Sequence, residues 1–128
     1  MGLDLFINYD GEIDDIAEKI GELLGIELIK NHNEFGVIYK FIAFNIEFLL
    51  YGEHGMEDDQ GIAFTDYNYQ MQLIKLRIGE KYKMYNAIYE NMARFLTEKL
   101  AYDLGARTML VENLSKVVFS AVPAVART

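Results

Sequence analysis

Residues 36–77 constrain the fold more than any other stretch of this 128-residue chain. They read GVIYKFIAFNIEFLLY, then GEHGMEDDQG, then IAFTDYNYQMQLIKLR. Apolar, aromatic and β-branched runs of this length, bounded by Gly, Asn and Asp, predict strands. Such side chains suit a pleated surface, and such punctuation turns the chain. Val37, Tyr39, Phe41 and Ala43 alternate with Ile38, Lys40, Ile42 and Phe44; Asn45 marks a tight turn, and Ile46 to Tyr51 returns as the next strand. Both faces of these strands carry apolar side chains, whereas a half-exposed sheet alternates cleanly. One face is therefore expected to lie under helices, and the other to be partly covered by a further segment or by a second molecule.

The flanking elements follow from periodicity. Leu3, Leu5, Ile7 and Tyr9 alternate, with Phe6 opposite, as in a short strand. Ile13, Ile16, Ala17, Ile20, Leu23 and Leu24 recur at helical spacing behind Asp10, which is placed to accept the free N–H groups of the first turn. Gly25 is expected to end that helix in the left-handed conformation. Ile26 to Lys30 predicts a strand, Asn31-His32-Asn33 a turn, and Ile62 to Phe64 a strand after the acidic loop. From Glu80 to Leu104, Tyr82, Tyr85, Tyr89, Met92, Leu96 and Leu100 form one helical stripe, with Gly105 as its stop. Glu90–Arg94 and Arg94–Glu98 on the far side have the i,i+4 spacing of ion pairs. Two last strands, Arg107 to Glu112 and Lys116 to Ala121, flank an Asn113-Leu114-Ser115 turn, and residues 121–128 are read as a frayed tail beyond Pro123. The expected fold is α+β: residues 1–128 form a single domain, a curved, mostly antiparallel sheet with two helices packed on one face.

Composition narrows the function classes. Cysteine is absent, so disulfides and thiolate metal sites are excluded. The start, MGLDLFINYDGEIDD, lacks the basic and apolar regions of a signal peptide, and no apolar run reaches a membrane span of about 18 residues. A cytoplasmic protein is expected. The net charge of −8 is unevenly placed: residues 1–70 hold 15 acidic and 3 basic side chains, residues 71–128 hold 5 acidic and 9 basic. A dispersed, mildly basic second half is a poor match for nucleic acid, which needs a basic face to displace phosphate counterions. The acidic first half attracts basic proteins instead.

Catalytic motifs are missing. The two serines, Ser115 and Ser120, lie outside any GxSxG elbow, and the glycines form neither GxGxxG nor a Walker loop. Glu53, His54, Glu57, Asp58 and Asp59 crowd one loop, without the alternating carboxylates of an EF-hand and without a second histidine for HExxH. A solvated loop, an acidic protein-binding patch and a divalent-metal site are the three uses open to it. Tyr67 and Tyr69 follow closely. A large ring with a polar tip suits interfaces, and Asp66, Asn68 and Gln70 beside them resemble an interface rim.

A small, acidic, cysteine-free α+β chain without a catalytic signature resembles the immunity proteins of bacterial contact-dependent inhibition and polymorphic toxin systems. That resemblance, one of type across the whole chain, implies a non-enzymatic protein that binds and neutralises a cognate toxin, in many cases a nuclease. It implies no cofactor and no resident metal. On this reading Glu53, Glu57, Asp58 and Asp59 are the charged contacts with a basic toxin domain, Tyr67 and Tyr69 the anchors, and Asp66 the rim. The rival readings are a small metal-dependent enzyme built on residues 53–59, and a homo-oligomeric structural or adaptor protein suggested by the two-sided strands.

Overall fold

The computed structural model describes residues 2–34, 36–52, 54–76 and 83–123, apart from the side chains of residues 33 and 83–85. Seven strands form one open antiparallel sheet: β1 (Leu3–Asn8), β2 (Ile29–Asn33), β3 (Gly36–Ala43), β4 (Ile46–Tyr51), β5 (Tyr69–Lys75), β6 (Arg107–Glu112) and β7 (Lys116–Ala121). Their order across the sheet is β2-β3-β4-β5-β1-β6-β7, so the first strand of the chain lies between β5 and β6. Two helices, α1 (Ile13–Leu24) and α2 (Lys83–Leu104), pack on the same face, and the α+β expectation holds.

Period-two alternation fixes which side chains meet the helices. Leu3, Leu5 and Ile7 of β1 share a face with Tyr69, Met71 and Leu73 of β5 and with Ile46, Phe48 and Leu50 of β4. Ile16, Ala17 and Ile20 of α1 and Tyr89, Leu96 and Leu100 of α2 close over them to form the main core. Tyr89 is fully buried. Its hydroxyl accepts the Leu3 N–H at 3.0 Å and donates to the Leu73 carbonyl at 2.8 Å, tying α2 to β1 and β5.

The expected stops hold. Gly25 ends α1 with φ 68°, and Gly105 follows α2 with φ 62°. Phe44-Asn45 and Asn113-Leu114 are two-residue turns with both φ values positive. Several local expectations fail. Glu12, not Asp10, is the N-cap of α1, and its backbone carbonyl, not a side chain, accepts the first-turn N–H groups of Asp15 and Ile16. Asn31, His32 and Asn33 are not a turn; pairing with Ile38, Val37 and Gly36 draws them into β2, an edge strand where Asn31 and His32 are exposed to water. Residues 62–64 are not a sheet strand, because they belong to a self-contained loop described below. On α2 the Arg94 guanidinium lies over the Phe119 ring at 5.5 Å, and the helix's ion pair among the described residues is Lys99–Asp103 at 2.8 Å in place of the two expected pairs. Residues 80–82, where the helical stripe was expected to begin, and 124–128, most of the expected tail, lie outside the described residues. No helix among the described residues is long and apolar enough to cross a membrane.

Candidate functional site

The connection from β4 to β5 is where the acidic loop was expected, and it has an internal architecture. Residues 59–62 form a miniature hairpin: the N–H of Asp59 donates to Ile62 O at 3.1 Å, and the N–H of Ile62 returns to Asp59 O at 2.8 Å. Gln60 and Gly61 turn it with φ 51° and 76°, the paired positive values that a two-residue turn of matching twist requires. The chain then makes a 3-10 turn at Phe64–Asp66 before β5. Phe64 and Ile62 from this loop bury themselves against Phe6, Met109 and Val111 on the sheet face away from the helices. The Phe6 and Phe64 rings lie 5.0 Å apart between centroids. The loop is thus the lid of a second, smaller core over β1 and β6, which holds no residue of β3 or β4, the strands for which a covering segment was expected.

Two side chains that looked functional hold the lid in shape. His54 accepts the Met56 N–H at Nδ1 (2.9 Å), which leaves Nε2 to carry the ring proton and donate to Tyr67 O at 2.6 Å. Its ring stands edge-on to Phe6 at 5.4 Å. Both ring nitrogens are therefore engaged. One Asp58 carboxylate oxygen accepts from the Thr65 N–H (3.0 Å) and the Thr65 hydroxyl (2.8 Å). These two donors, the backbone one first, hold the Asp58 carboxyl below its ordinary pKa. His54 and Asp58 thus point to separate partners, and among the described residues no group of three or more His, Asp or Glu is arranged to hold a metal.

The expected contact residues part company. Glu57, Asp59 and Asp66 are exposed on the outside of the lid, and Asp58 is exposed but engaged. Glu53 lies outside the described residues. Tyr67 is half-buried against the second core, with the Arg107 guanidinium over its ring at 5.7 Å. Tyr69 cannot be a surface anchor. It is 5% exposed in the main core, and its hydroxyl donates to Gly11 O. Burial, with the Glu12 and Asp15 carboxylates beside it, pushes that hydroxyl above its ordinary pKa. Two of the three expected rim residues are ties as well: Asn68 accepts the Tyr9 N–H at 2.9 Å and donates to Tyr9 O at 2.6 Å, and Gln70 donates to Asp4 at 2.9 Å.

Those ties bring together what the sequence keeps apart. β1 ends, β4 ends and β5 begins at the same end of the sheet, as the pairings Ile7↔Tyr69 and Tyr51↔Gln70 require. Asn68 and Tyr69 fasten the β1–α1 turn there, so the turn that carries Asp10, Glu12 and the first-turn Asp15 is tied to the exit of the lid that carries Glu57, Asp59 and Asp66. All six are exposed, and the first three were missed as contact residues because they lie in a different segment. A second acidic surface, an open groove of about 640 Å³, runs along α1 between Asp14, Glu18, Glu22 and Glu27, with Ala17 and Gly21 in its wall. In it, Tyr39 first and Lys30 second hold the Asp14 carboxyl below its ordinary pKa.

Comparisons with protein families, with curated protein sequences and with solved structures found no match to this chain.

Proposed function

We propose that this protein works by binding a basic protein partner, as a non-enzymatic immunity protein that neutralises a cognate toxin domain, of nuclease type, in the bacterial cytoplasm. The observation that carries the reading is a pair of acidic segments tied to each other by Asn68 and Tyr69, one exposing Asp10, Glu12 and Asp15 and the other Glu57, Asp59 and Asp66. A nuclease holds phosphate with a basic cleft, and a surface of opposite sign steers encounter with it and fixes the register of docking. The lid's internal bonds matter as much as its charge. A loop already held by His54, Asp58 and a buried Phe64 loses little conformational freedom on binding, so less of the contact energy is spent on ordering it. Tyr67, half-buried at the lid's exit, is the aromatic contact of this surface, and about 800 Å² per partner makes a standard interface.

Paired baits test the reading. The wild-type protein and a Glu57→Lys, Asp59→Lys, Asp66→Lys triple variant are used to capture partners from the native host, and the captured proteins are identified by mass spectrometry. A basic protein retained by the wild type and lost from the variant, whose toxicity in cells is relieved by co-expression of the wild type, is the expected result. Captures that are identical on both baits, or a partner without toxicity, contradict it.

A further inference from the structure

The lid covers only part of the sheet face away from the helices. It lies over β1 and β6; across β2 to β5 the same face presents Ile29, Ile38, Ile42, Leu49, Tyr51 and Ile74. Ile29 and Ile42 are 58% and 57% exposed, and the other four are partly exposed. We infer that this open half is a self-association surface, on which a second copy of this chain packs its own β2–β5 face about a two-fold axis.

The charges on the face select that occupant. Among them are Lys40, opposite Leu49, and Glu47, opposite Ile42, so the two lie diagonally on neighbouring strands. Neither has an ion-pair partner among the described residues. A two-fold axis through the patch brings Lys40 of each copy to Glu47 of the other, since an isologous interface pairs residue i with j and j with i. A basic partner would meet Lys40 and an acidic one Glu47, so a copy of the same chain matches both at once. The area sets the strength. Four strands about 4.8 Å apart and about 3.4 Å per residue over six residues make a plate of roughly 19 by 20 Å. That is about 380 Å² per copy, about half of one side of a standard interface, in the range of weak and transient contacts.

The β3–β4 turn adds an independent sign. Phe44 holds φ 51° and is 68% exposed, a costly conformation for a bulky side chain at a position where Asn or Gly is the usual choice. It follows Ile42 by two residues at the edge of the patch, where a second copy would cover it. Replacing it should therefore act in opposite directions on the monomer and on the dimer.

Sedimentation velocity from 5 to 500 µM tests the inference on the full chain, and it rests on residues separate from the acidic segments. The wild type should dimerise with a midpoint in the tens of micromolar. The association should strengthen with added salt, because two copies of net charge −8 repel one another, whereas binding of a basic protein weakens with salt. Lys40→Glu and Glu47→Lys should each weaken dimerisation at least tenfold, and an equimolar mixture of the two variants should restore it as a heterodimer. Phe44→Asn should raise the monomer's melting temperature while weakening the dimer. Circular dichroism confirms that each variant folds; should either charge variant fail to, Ile42→Lys, at an exposed position, replaces it and should be monomeric. A wild type that stays monomeric at 500 µM, or a dimer indifferent to Lys40→Glu, Glu47→Lys and Ile42→Lys alike, overturns the inference.

Discussion

On the face of the sheet away from the helices, β1 and β6 carry Phe6, Met109 and Val111 under a lid of their own chain, whereas β3 and β4 carry Ile38, Ile42 and Leu49 in partial contact with water. The two regions alternate apolar side chains in the same way along neighbouring strands. They differ in what lies above: a segment with enough apolar side chains to bury, Ile62 and Phe64 chief among them, closes one and not the other. The lesson concerns the acidic loop. Its carboxylates are mounted on a structural element whose inner side is core, so they occupy fixed places.

Substitutions that probe the two regions should separate them cleanly. Phe64→Ala empties the lid's main anchor and should cost about 3–5 kcal/mol, because a fully buried ring is lost and the space left behind does not close. Ile42→Ala on the open half should cost under about 1 kcal/mol at dilute concentration, since most of that side chain is already in water. Urea denaturation of both variants checks the contrast; equal losses would erase it.

A second pair of regions, core and contact surface, is sharpened by Tyr69→Phe. Removing the hydroxyl leaves the Gly11 carbonyl without its donor and should lower stability by about 0.5–1.5 kcal/mol in the same assay. Affinity for the captured partner should fall far less than in the Glu57→Lys, Asp59→Lys, Asp66→Lys variant, because Tyr69 is buried and acts on the surface only by holding the Gly11 turn.

Asp4 stands on β1 between the two halves, opposite Gln72 on one side and Val111 on the other. Burial raises its pKa, only partly offset by the bond from Gln70. A raised carboxyl pKa means that the folded state holds the proton more tightly than the unfolded chain. Stability on this account is greatest below the ordinary carboxylate range and is lost as pH rises through the folded value. Asp4→Asn should therefore raise the melting temperature at pH 7, by less than Tyr69→Phe lowers it, and the gain should vanish in acid. Asp58 has the opposite sign. Its lowered pKa contributes stability above the ordinary carboxylate range, and that contribution is lost as pH falls through the depressed value. Asp58→Asn should leave global stability nearly unchanged at pH 7 while speeding amide exchange in residues 54–66, the smallest effect of the series.

Much of the fold was legible from periodicity and punctuation, because α1, α2 and the hairpins are built from contacts close in sequence. The place of β1 between β5 and β6 was not, since that pairing joins the first strand to segments far along the chain. The lid was missed for a related reason. Ile62 and Phe64 are too few to show a period, and their partner Phe6, although it stood out as the apolar residue facing away from Leu5 and Ile7, gave no hint of what would cover it. The core position of Tyr69 is legible in its alternation with Met71 and Leu73, a register signal that outweighs its nearness to the acidic loop. The engagement of Asp58 is not legible in the sequence, because composition shows a charge and not its donors; Thr65 supplies them from the far side of the hairpin.

The central claim is that a pre-shaped acidic surface is offered to a basic protein. Titration calorimetry of the captured partner against the wild type and the Glu57→Lys, Asp59→Lys, Asp66→Lys variant, at low and high salt, tests it most directly. The expected result is a complex that weakens with salt and loses roughly tenfold to hundredfold in affinity in the variant, at about 0.5–1 kcal/mol per exposed charge, with the melting temperature held. Equal affinities for the two proteins, or a wild-type affinity indifferent to salt, would contradict it.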